Sequence, residues 1–467
     1  MVAGRRSNQG LTGHSAAVTA PRSWALAAQP ASGYRRAWVR ERLADSFWPG
    51  PALLLVIGVV LAGITARAPS LGLDGLLRVG PQVSAGETAD VLGILASSTL
   101  TFLGVVFTLT LVALQLASSQ LSPRVVRMFV RSRVTKLVFG LLLACFSYCV
   151  AFLVLEGGQH RADSAGLTVA MALVTASLIV FLGYVATTMR LLQVAWVITR
   201  VADETRASIT ANTPPSAQYR RAARPQLVAD PELVTLGRKR RTSPGMRQGV
   251  LQSVDHRRLV RVAARHDCVL ELLVRVGEYI PAGAAVIAVH PAAGQRAGPG
   301  AAPPLGARPL TAILAGLSLG RTRTVYQDPS YGLRQLVDIA IQALSAAINQ
   351  PTTAVQVIDR MEDLVLRIGR LPDRTGSYAD PAGRIRLQDP VMTWDEVLDL
   401  TFSEITTCGA GSTQVTRRLL AAYDALEAAL PAERRPAVAA RRVALLQESA
   451  DQGVPPAGLH ADALGLG

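Results

Sequence analysis

Four long apolar stretches in the first 200 residues restrict what this chain can fold into. They cover about 47–67, 88–121, 135–156 and 165–198. A helix needs about 20 consecutive apolar residues to cross a bilayer, and each stretch reaches that length. We therefore predict a membrane domain of four transmembrane helices over residues 37–206.

Positive charge is unevenly distributed around these stretches. Arginines cluster before the first stretch, between the second and third, and after the fourth, whereas the other two loops hold few cations. The positive-inside rule places such clusters in the cytoplasm. Together with a composition typical of a GC-rich bacterial genome, this predicts a multi-pass protein of the bacterial inner membrane with both termini cytoplasmic. Beside membrane spans, the net charge of +15 favours anionic lipid headgroups over nucleic acid as a partner.

The second stretch is long and unusually polar. From Glu87 to Ser122 it contains no proline and would form about 54 Å of helix, whereas a hydrocarbon core is about 30 Å thick. Small or polar residues recur along one side of it at alternating steps of four and three, with Leu111 completing the series. These residues are Ser97, Thr101, Gly104, Thr108, Gln115, Ser118 and Ser122. The stripe is predicted either to form a close helix–helix seam or to line a path through a homo-oligomer.

A cationic segment, "RVVRMFVRSR", follows Pro123. Its Arg124, Arg127 and Arg131 recur at steps of three and four, and apolar residues occupy another side. This amphipathic pattern suits a segment that lies on the inner leaflet against anionic headgroups. It equally suits a loop that only sets the topology, and both interpretations stay open.

The rest of the chain has the character of a water-soluble region. The predicted segments are a disordered basic tail (1–36), a basic linker (207–248), a β-rich module (249–292), a mainly helical domain (310–450) and a disordered tail (451–467). Within the β-rich module, alternating apolar residues and the turn residues Gly277 and Gly283 favour a small barrel-like structure. The predicted fold class is a membrane α-helical domain followed by a cytoplasmic α+β domain with a small β-barrel-like module and helical hairpins.

Two helix starts stand out in the stretch 321–369. Asp328-Pro329 is a good N-cap and first-turn pair, and Gln350-Pro351 begins a second helix, so a hairpin around Asn349 is predicted. Arg334 and Asp338, four residues apart, are expected to pair. The polar residues of the hairpin form a candidate ligand or partner site: Gln327, Asp328, Arg334, Asp338, Asn349, Thr352 and Thr353.

Two motifs, "STLTFLGVVFTLTLVALQLASSQLSPR" and "QDPSYGLRQLVDIAIQALSAAINQPTTAVQVIDR", resemble those of a family of bacterial predicted membrane proteins called domain of unknown function 2254. The resemblance covers most of the chain after about residue 35. It implies several N-terminal spans, a soluble C-terminal part and no established activity. The family usually has Asn-Asp-Pro where this chain has Asn349-Gln350-Pro351. An aspartate would cap the second helix, whereas glutamine caps poorly.

The sequence favours a non-enzymatic role. Neither a nucleophile–base pair, nor a metal cluster, nor a phosphate-binding loop stands out, so no catalytic residue, metal or cofactor is expected. The leading hypothesis is a homo-oligomeric channel-like or gated membrane protein with a cytoplasmic regulatory domain. The first alternative is a non-conducting scaffold or sensor whose hairpin binds a ligand or partner. A further alternative is an enzyme that uses Asp328, Asp338 and Asn349.

Overall fold

The structure is a computed structural model. It describes residues 47–67, 85–120, 132–156, 164–191, 193–213, 231–236, 248–291, 307–372 and 375–454. All of them belong to one compact unit, Arg42–Gly467. Several features predicted from the sequence lie outside the described residues: the tail 1–36, the tail after 454, Ser122, Arg124, Arg127, Arg131 and the side chain of Ser118.

Four apolar helices form the N-terminal half of the described chain. They are α1 (Pro49–Ala66), α2 (Ala85–Gln120), α3 (Arg133–Glu156) and α4 (Ser164–Leu191). Each is long and apolar enough to cross a membrane, which confirms the four predicted membrane helices. The fourth apolar stretch reaches 198 in the sequence, but its helix ends at Leu191. The chain continues as a separate helix, α5 (Val194–Ala211). This helix is amphipathic, with buried residues on one face and polar residues on the other.

Helix α3 lies at the centre of the membrane domain and contacts α1, α2 and α4. Its contact with α1 is close because Gly140 has no side chain: a Cβ there would lie 3.2 Å from the Cα of Pro51. Two apolar clusters fill the domain. One surrounds Tyr148 and Phe152, and the other surrounds Tyr184 nearer to the C-terminal end of α4.

The C-terminal region begins with two small open sheets. Their strands are β1 (Glu232–Thr235), β2 (Gly249–Val254), β3 (Cys268–Leu272), β4 (Tyr279–Ile280), β5 (Ala285–Pro291), β6 (Leu317–Gly320), β7 (Ser377–Ala379) and β8 (Ile385–Gln388). The strand orders are β1-β5-β3-β8-β7 and β4-β2-β6. Strand β1 lies inside the segment predicted as a linker.

The prediction of a barrel-like module over 249–292 is wrong. The four strands of that segment are divided between the two sheets, and each sheet is completed by strands from elsewhere in the chain. Two helices, α6 (His256–Arg265) and α7 (Ala307–Leu314), contribute Leu259 and Ile313 to the apolar core of the sheets. Because helices cover the apolar faces, the sheets have no need to close on themselves.

The remaining elements are helical. They are α8 (Pro329–Leu344), α9 (Pro351–Gly369), α10 (Trp394–Leu398), a π turn (Asp399–Ser403), α11 (Glu404–Gly409), α12 (Thr413–Ala429), a 3₁₀ turn (Ala432–Arg434) and α13 (Arg435–Asp451). Helices α8 and α9 form the predicted hairpin, and α5 packs against both. The largest apolar cluster of the described chain joins these helices and also includes Ala113 of α2. It therefore links the membrane domain to the C-terminal region.

Candidate functional sites on the second span and the helical hairpin

The stripe of small and polar residues on α2 faces away from the other spans of the chain. Ser97, Thr101, Thr108 and Gln115 are exposed, and a Cβ built on Gly104 would meet nothing within 4 Å. Within the described residues, no other span covers this face at these positions. The choice between a helix–helix seam and the lining of a path stays a prediction.

The opposite face of α2 packs against the other spans. Buried residues of this face include Leu92, Thr99, Val106 and Ala113. At 100° per residue they lie about 140–180° around the helix from Thr108 of the stripe. Thr110 belongs to the packed side, where its Oγ1 and the Oη of Tyr184 are hydrogen-bonded at 2.7 Å. Thr110, a polar residue outside the stripe, thus joins α2 to α4.

Three described hydroxyl groups of the stripe are satisfied within the helix itself. Ser97 donates to the carbonyl of Ile94 at 2.9 Å. Thr101 donates to the carbonyl of Ser97, and Thr108 to that of Gly104, both at 3.0 Å. Such backbone-directed hydrogen bonds leave no hydroxyl proton unsatisfied in an apolar environment. Because the side chains are also small, another helix can approach this face closely.

Gln115 lies where α2 leaves the membrane domain. Ala113, two residues earlier, is buried in the same apolar cluster as Val197 of α5 and Leu336 of α8. Helix α2 continues five residues beyond Gln115, to Gln120. The amide is thus at the junction with the C-terminal region rather than in the middle of the span, where an unpartnered amide would be costly.

The first part of the candidate hairpin site holds the start of α8 in place. The side-chain amide of Gln327 bonds the backbone of Val254, accepting from its N–H at 2.8 Å and donating to its carbonyl at 3.3 Å. Asp328 accepts from the N–H of Tyr331 at 3.1 Å, which confirms the predicted N-cap. Its buried carboxylate also pairs with Arg323 at 2.7 Å. These contacts give both residues a structural role.

The predicted pair of Arg334 and Asp338 is confirmed, with 2.9 Å between Nε and Oδ1. The same guanidinium also pairs with Glu404 of α11. A hydrogen bond to Glu404, opposed by partial burial and supported by the charge of Asp338, raises the pKa of Arg334 above its ordinary value. The residue therefore remains a cation that ties α8 to α11.

The other end of the hairpin has a different character. Asn349 has a φ of +45°, a left-handed conformation that asparagine tolerates better than most residues. The next N–H, of Gln350, donates to the carbonyl of Ala343 at 2.7 Å and closes the turn. The side chain of Gln350 does not cap α9, as its chemistry predicts. About 24 Å of helix α8 separates this turn from Asp328, so the residues of the candidate site do not converge.

A cavity of about 250 Å³ lies beside this turn, between α5, α8 and α9. Thr353 is the predicted site residue that lines it, together with Gln350. Its other lining residues are not among the predicted site residues; they are Val194, Ile339, Ala343, Ala347 and Ile348. Ile339, Ala343 and Ala347 recur at steps of four, as expected for one face of a helix. This periodicity in the sequence is the signal that could have identified one wall of the cavity.

The described histidines that contact a carboxylate each form a pair with it. His256 lies 2.8 Å from Asp389 and His290 lies 3.0 Å from Glu271, each measured from Nε2 to the carboxylate. Within the described segments, no group of three or more His, Cys, Asp or Glu side chains is placed to hold a metal ion.

Comparison with known proteins gives relatives without an assigned activity. Proteins of Mycobacterium tuberculosis (strain H37Rv) and Mycobacterium bovis, both described as uncharacterized, are 28% identical to the chain over 397 residues. The matched region covers 83% of this chain and 72% of each relative. No solved structure matches the chain significantly.

A family model described as a predicted membrane protein, domain of unknown function 2254, matches residues 44–425. The match includes the four membrane helices, both sheets and the helical hairpin. It covers well over half of the chain. The chain therefore belongs to the domain of unknown function 2254 family of predicted membrane proteins.

Proposed function

We propose that this protein is a homo-oligomer in which α2 of each copy faces a shared axis and the C-terminal region acts as a gate. The exposed stripe on α2 carries the proposal. Lipid-facing positions favour large apolar side chains, whereas helix interfaces within membranes are enriched in small and hydroxyl-bearing residues. The stripe has the composition of a helix interface, and it lies opposite the face of α2 that packs against the other spans of the chain.

The position of Ala113 supports a gating role for the C-terminal region. This residue is only 5% exposed and packs in the apolar cluster that also contains residues of α5, α8 and α9. Packed interiors do not deform continuously, so a shift of α2 requires these helices to shift with it. A change in the C-terminal region would reach the proposed axis by the same route.

Cysteine cross-linking in native membranes tests the shared axis. Thr108→Cys places a thiol on the stripe, and Leu109→Cys places one about 100° away at nearly the same depth. Leu109 is itself 41% exposed, which makes it a matched control. Both variants are made in a Cys408→Ser background, because Cys408 is exposed whereas the other three cysteines are buried.

We expect oxidation to link Thr108→Cys into disulfide-bonded dimers and to leave Leu109→Cys monomeric. Equal cross-linking of the two variants, or none of either, would refute an axis formed by the stripe. The size of the protein that has not been cross-linked can also be measured in nanodiscs. A monomeric size there would refute the shared axis independently.

Flux measurement tests the gated path. Protein in liposomes should pass ions or small solutes under voltage, tension or osmotic shock, and Gln115→Leu should change the flux because it removes an exposed amide from the mouth of α2. Cross-linking without flux under any of these conditions would overturn conduction. It would leave the alternative, a non-conducting scaffold or sensor.

The proposal includes a cytoplasmic C-terminal region in a bacterial inner membrane, with the cations of segment 124–131 near anionic headgroups. Cys408 gives a direct test of this orientation because it is exposed in the C-terminal region. A membrane-impermeant thiol reagent should label it in lysed cells and not in intact spheroplasts. Labelling in intact spheroplasts would reverse the orientation.

A further inference from the structure

The cavity between α5, α8 and α9 has aliphatic walls. Val194, Ile339, Ala343, Ala347 and Ile348 provide five of its seven lining residues. A cavity holds water stably only where two to four polar groups can bond each molecule, whereas an apolar cavity takes apolar ligands. Polar and apolar surface line this cavity about equally, so it suits an amphiphile that has a hydrocarbon part and a polar end.

The cavity lies close to the C-terminal end of a membrane-spanning helix. Helix α4, which is long and apolar enough to cross a membrane, ends at Leu191, and Val194 of the cavity lining begins α5 three residues later. The wall is also continuous with the membrane domain, because Ile339 belongs to the apolar cluster that contains Ala113 of α2 and Val194 packs against that cluster.

The volume fits part of one hydrocarbon chain. An engineered apolar cavity of about 150 Å³ accepts benzene, and sites for drug-sized ligands occupy about 300–1,000 Å³. At about 250 Å³, this cavity is larger than the benzene-binding cavity and smaller than a site for a drug-sized ligand. Its two polar lining residues, Gln350 and Thr353, stand at the start of α9 and suit the polar end of an amphiphile.

We propose that the cavity binds a segment of a phospholipid acyl chain from the adjacent leaflet, with the ester end of the chain at Gln350 and Thr353. This binding site goes beyond the proposed oligomer and does not depend on conduction. Its occupant comes from the bilayer that surrounds α4, so no soluble ligand is required. A bound chain would also fill space between α5 and the hairpin, which the wall residues alone leave open.

Photolabelling of the full-length protein tests the site. The protein is reconstituted in phosphatidylethanolamine–phosphatidylglycerol vesicles that contain a trace of phosphatidylglycerol with a diazirine on one acyl chain. After irradiation, labelled peptides are mapped by mass spectrometry. We expect label on the peptide that contains residues 339–353, in addition to label on the lipid-facing sides of the spans.

Two neighbouring alanines provide the variant and its control. Ala346 and Ala347 are both exposed in the turn after α8, but only Ala347 lines the cavity. Ala347→Phe fills the space and should reduce label on 339–353 by about tenfold, which corresponds to 1.4 kcal/mol. Ala346→Phe should leave it unchanged, and label on the spans should be the same in all three proteins.

Three results would overturn the inference. Equal labelling of 339–353 in the wild type and both variants would show that the lipid probe labels this peptide from outside the cavity. Label confined to the spans would show that no chain enters. Loss of oligomers in Ala347→Phe without lipid label in the wild type would assign the cavity to a second copy of the chain instead.

Discussion

Replacement of Arg386 by methionine tests how the five-stranded sheet is held together. Arg386 lies on β8 and is 1% exposed. Its Nε donates to Asp380 at 2.9 Å, its Nη2 to Asp267 at 2.7 Å and its Nη1 to the carbonyl of Cys268 at 3.3 Å. One guanidinium therefore joins the β7–β8 hairpin to the turn before β3.

The expected loss follows from the carboxylate that the variant leaves behind. Methionine keeps much of the aliphatic volume, but the side chain of Asp380 remains 97% buried and loses its buried charged partner, so that only the exposed Arg384 remains, at 3.3 Å. Removal of one partner from a buried ion pair costs about 3–5 kcal/mol. For a region of this size, such a loss lowers the unfolding temperature by roughly 10 °C at pH 7.

The loss should depend on pH in a defined direction. Burial alone would raise the pKa of Asp380, but hydrogen bonds from Arg386 and from the N–H groups of Arg384 and Ala382 hold it below its ordinary value. This carboxylate therefore stabilises the wild type above the unfolded pKa of about 3.9, and the contribution is lost as pH falls through the lower folded pKa. In Arg386→Met the pKa of Asp380 should rise. Its carboxylate then takes up a proton as the pH falls, which removes the buried charge. The difference between variant and wild type should shrink from pH 7 to pH 4.

Thermal unfolding of the full-length protein in detergent, followed by near-ultraviolet circular dichroism at both pH values, measures these effects. Arg384→Met is the matched control. Its side chain is 62% exposed and lies 3.3 Å from the same carboxylate, so its loss should stay below about 1 kcal/mol. Equal losses for the two variants, or a loss for Arg386→Met that does not shrink at pH 4, would refute the reasoning.

Three further substitutions test other contacts. Gly332→Ala should cost about 1–3 kcal/mol in thermal unfolding, because the new Cβ would collide with Oγ1 of buried Thr205, and adding Thr205→Ala should restore part of the loss. Gln350→Asp should stabilise α9 by about 1 kcal/mol, seen as slower amide exchange in its first turns, because aspartate supplies the missing cap and Gln350→Ala does not. Tyr184→Phe should cost about 0.5–1.5 kcal/mol in detergent unfolding, since the bond to Thr110 joins α2 and α4, and no change would contradict that role.

Local signals in the sequence predict the elements well. The length of each apolar stretch gives the four membrane helices, because a bilayer imposes one minimum length on every span. Asp328-Pro329 and Gln350-Pro351 mark the starts of α8 and α9, since capping chemistry and proline act within a few residues of the helix end.

Contacts between distant segments explain what the sequence does not predict. Leu270 of β3 pairs with Leu387 of β8, more than 100 residues later, so the alternating pattern of 249–292 could not reveal that its sheets stay open. The cavity needs one wall from α5 and two from the hairpin, and no single stretch contains it. The stripe on α2 shows which residues share a face, but a single helix does not reveal whether that face meets its own chain or another.

The apolar cluster around Ala113 gives the two proposals a common physical basis. Ala113 of α2 and Ile339 of the cavity wall belong to the same packed set, and Val194 of the wall packs against it. Because such a set repacks as a whole, an acyl chain that fills the cavity favours one arrangement of α5 and the hairpin, and so one position of α2. Any such coupling is reciprocal: a position of α2 that favours lipid binding must itself be favoured by the lipid. The composition of the bilayer would then act on the proposed axis through the C-terminal region as well as through direct contact with the spans.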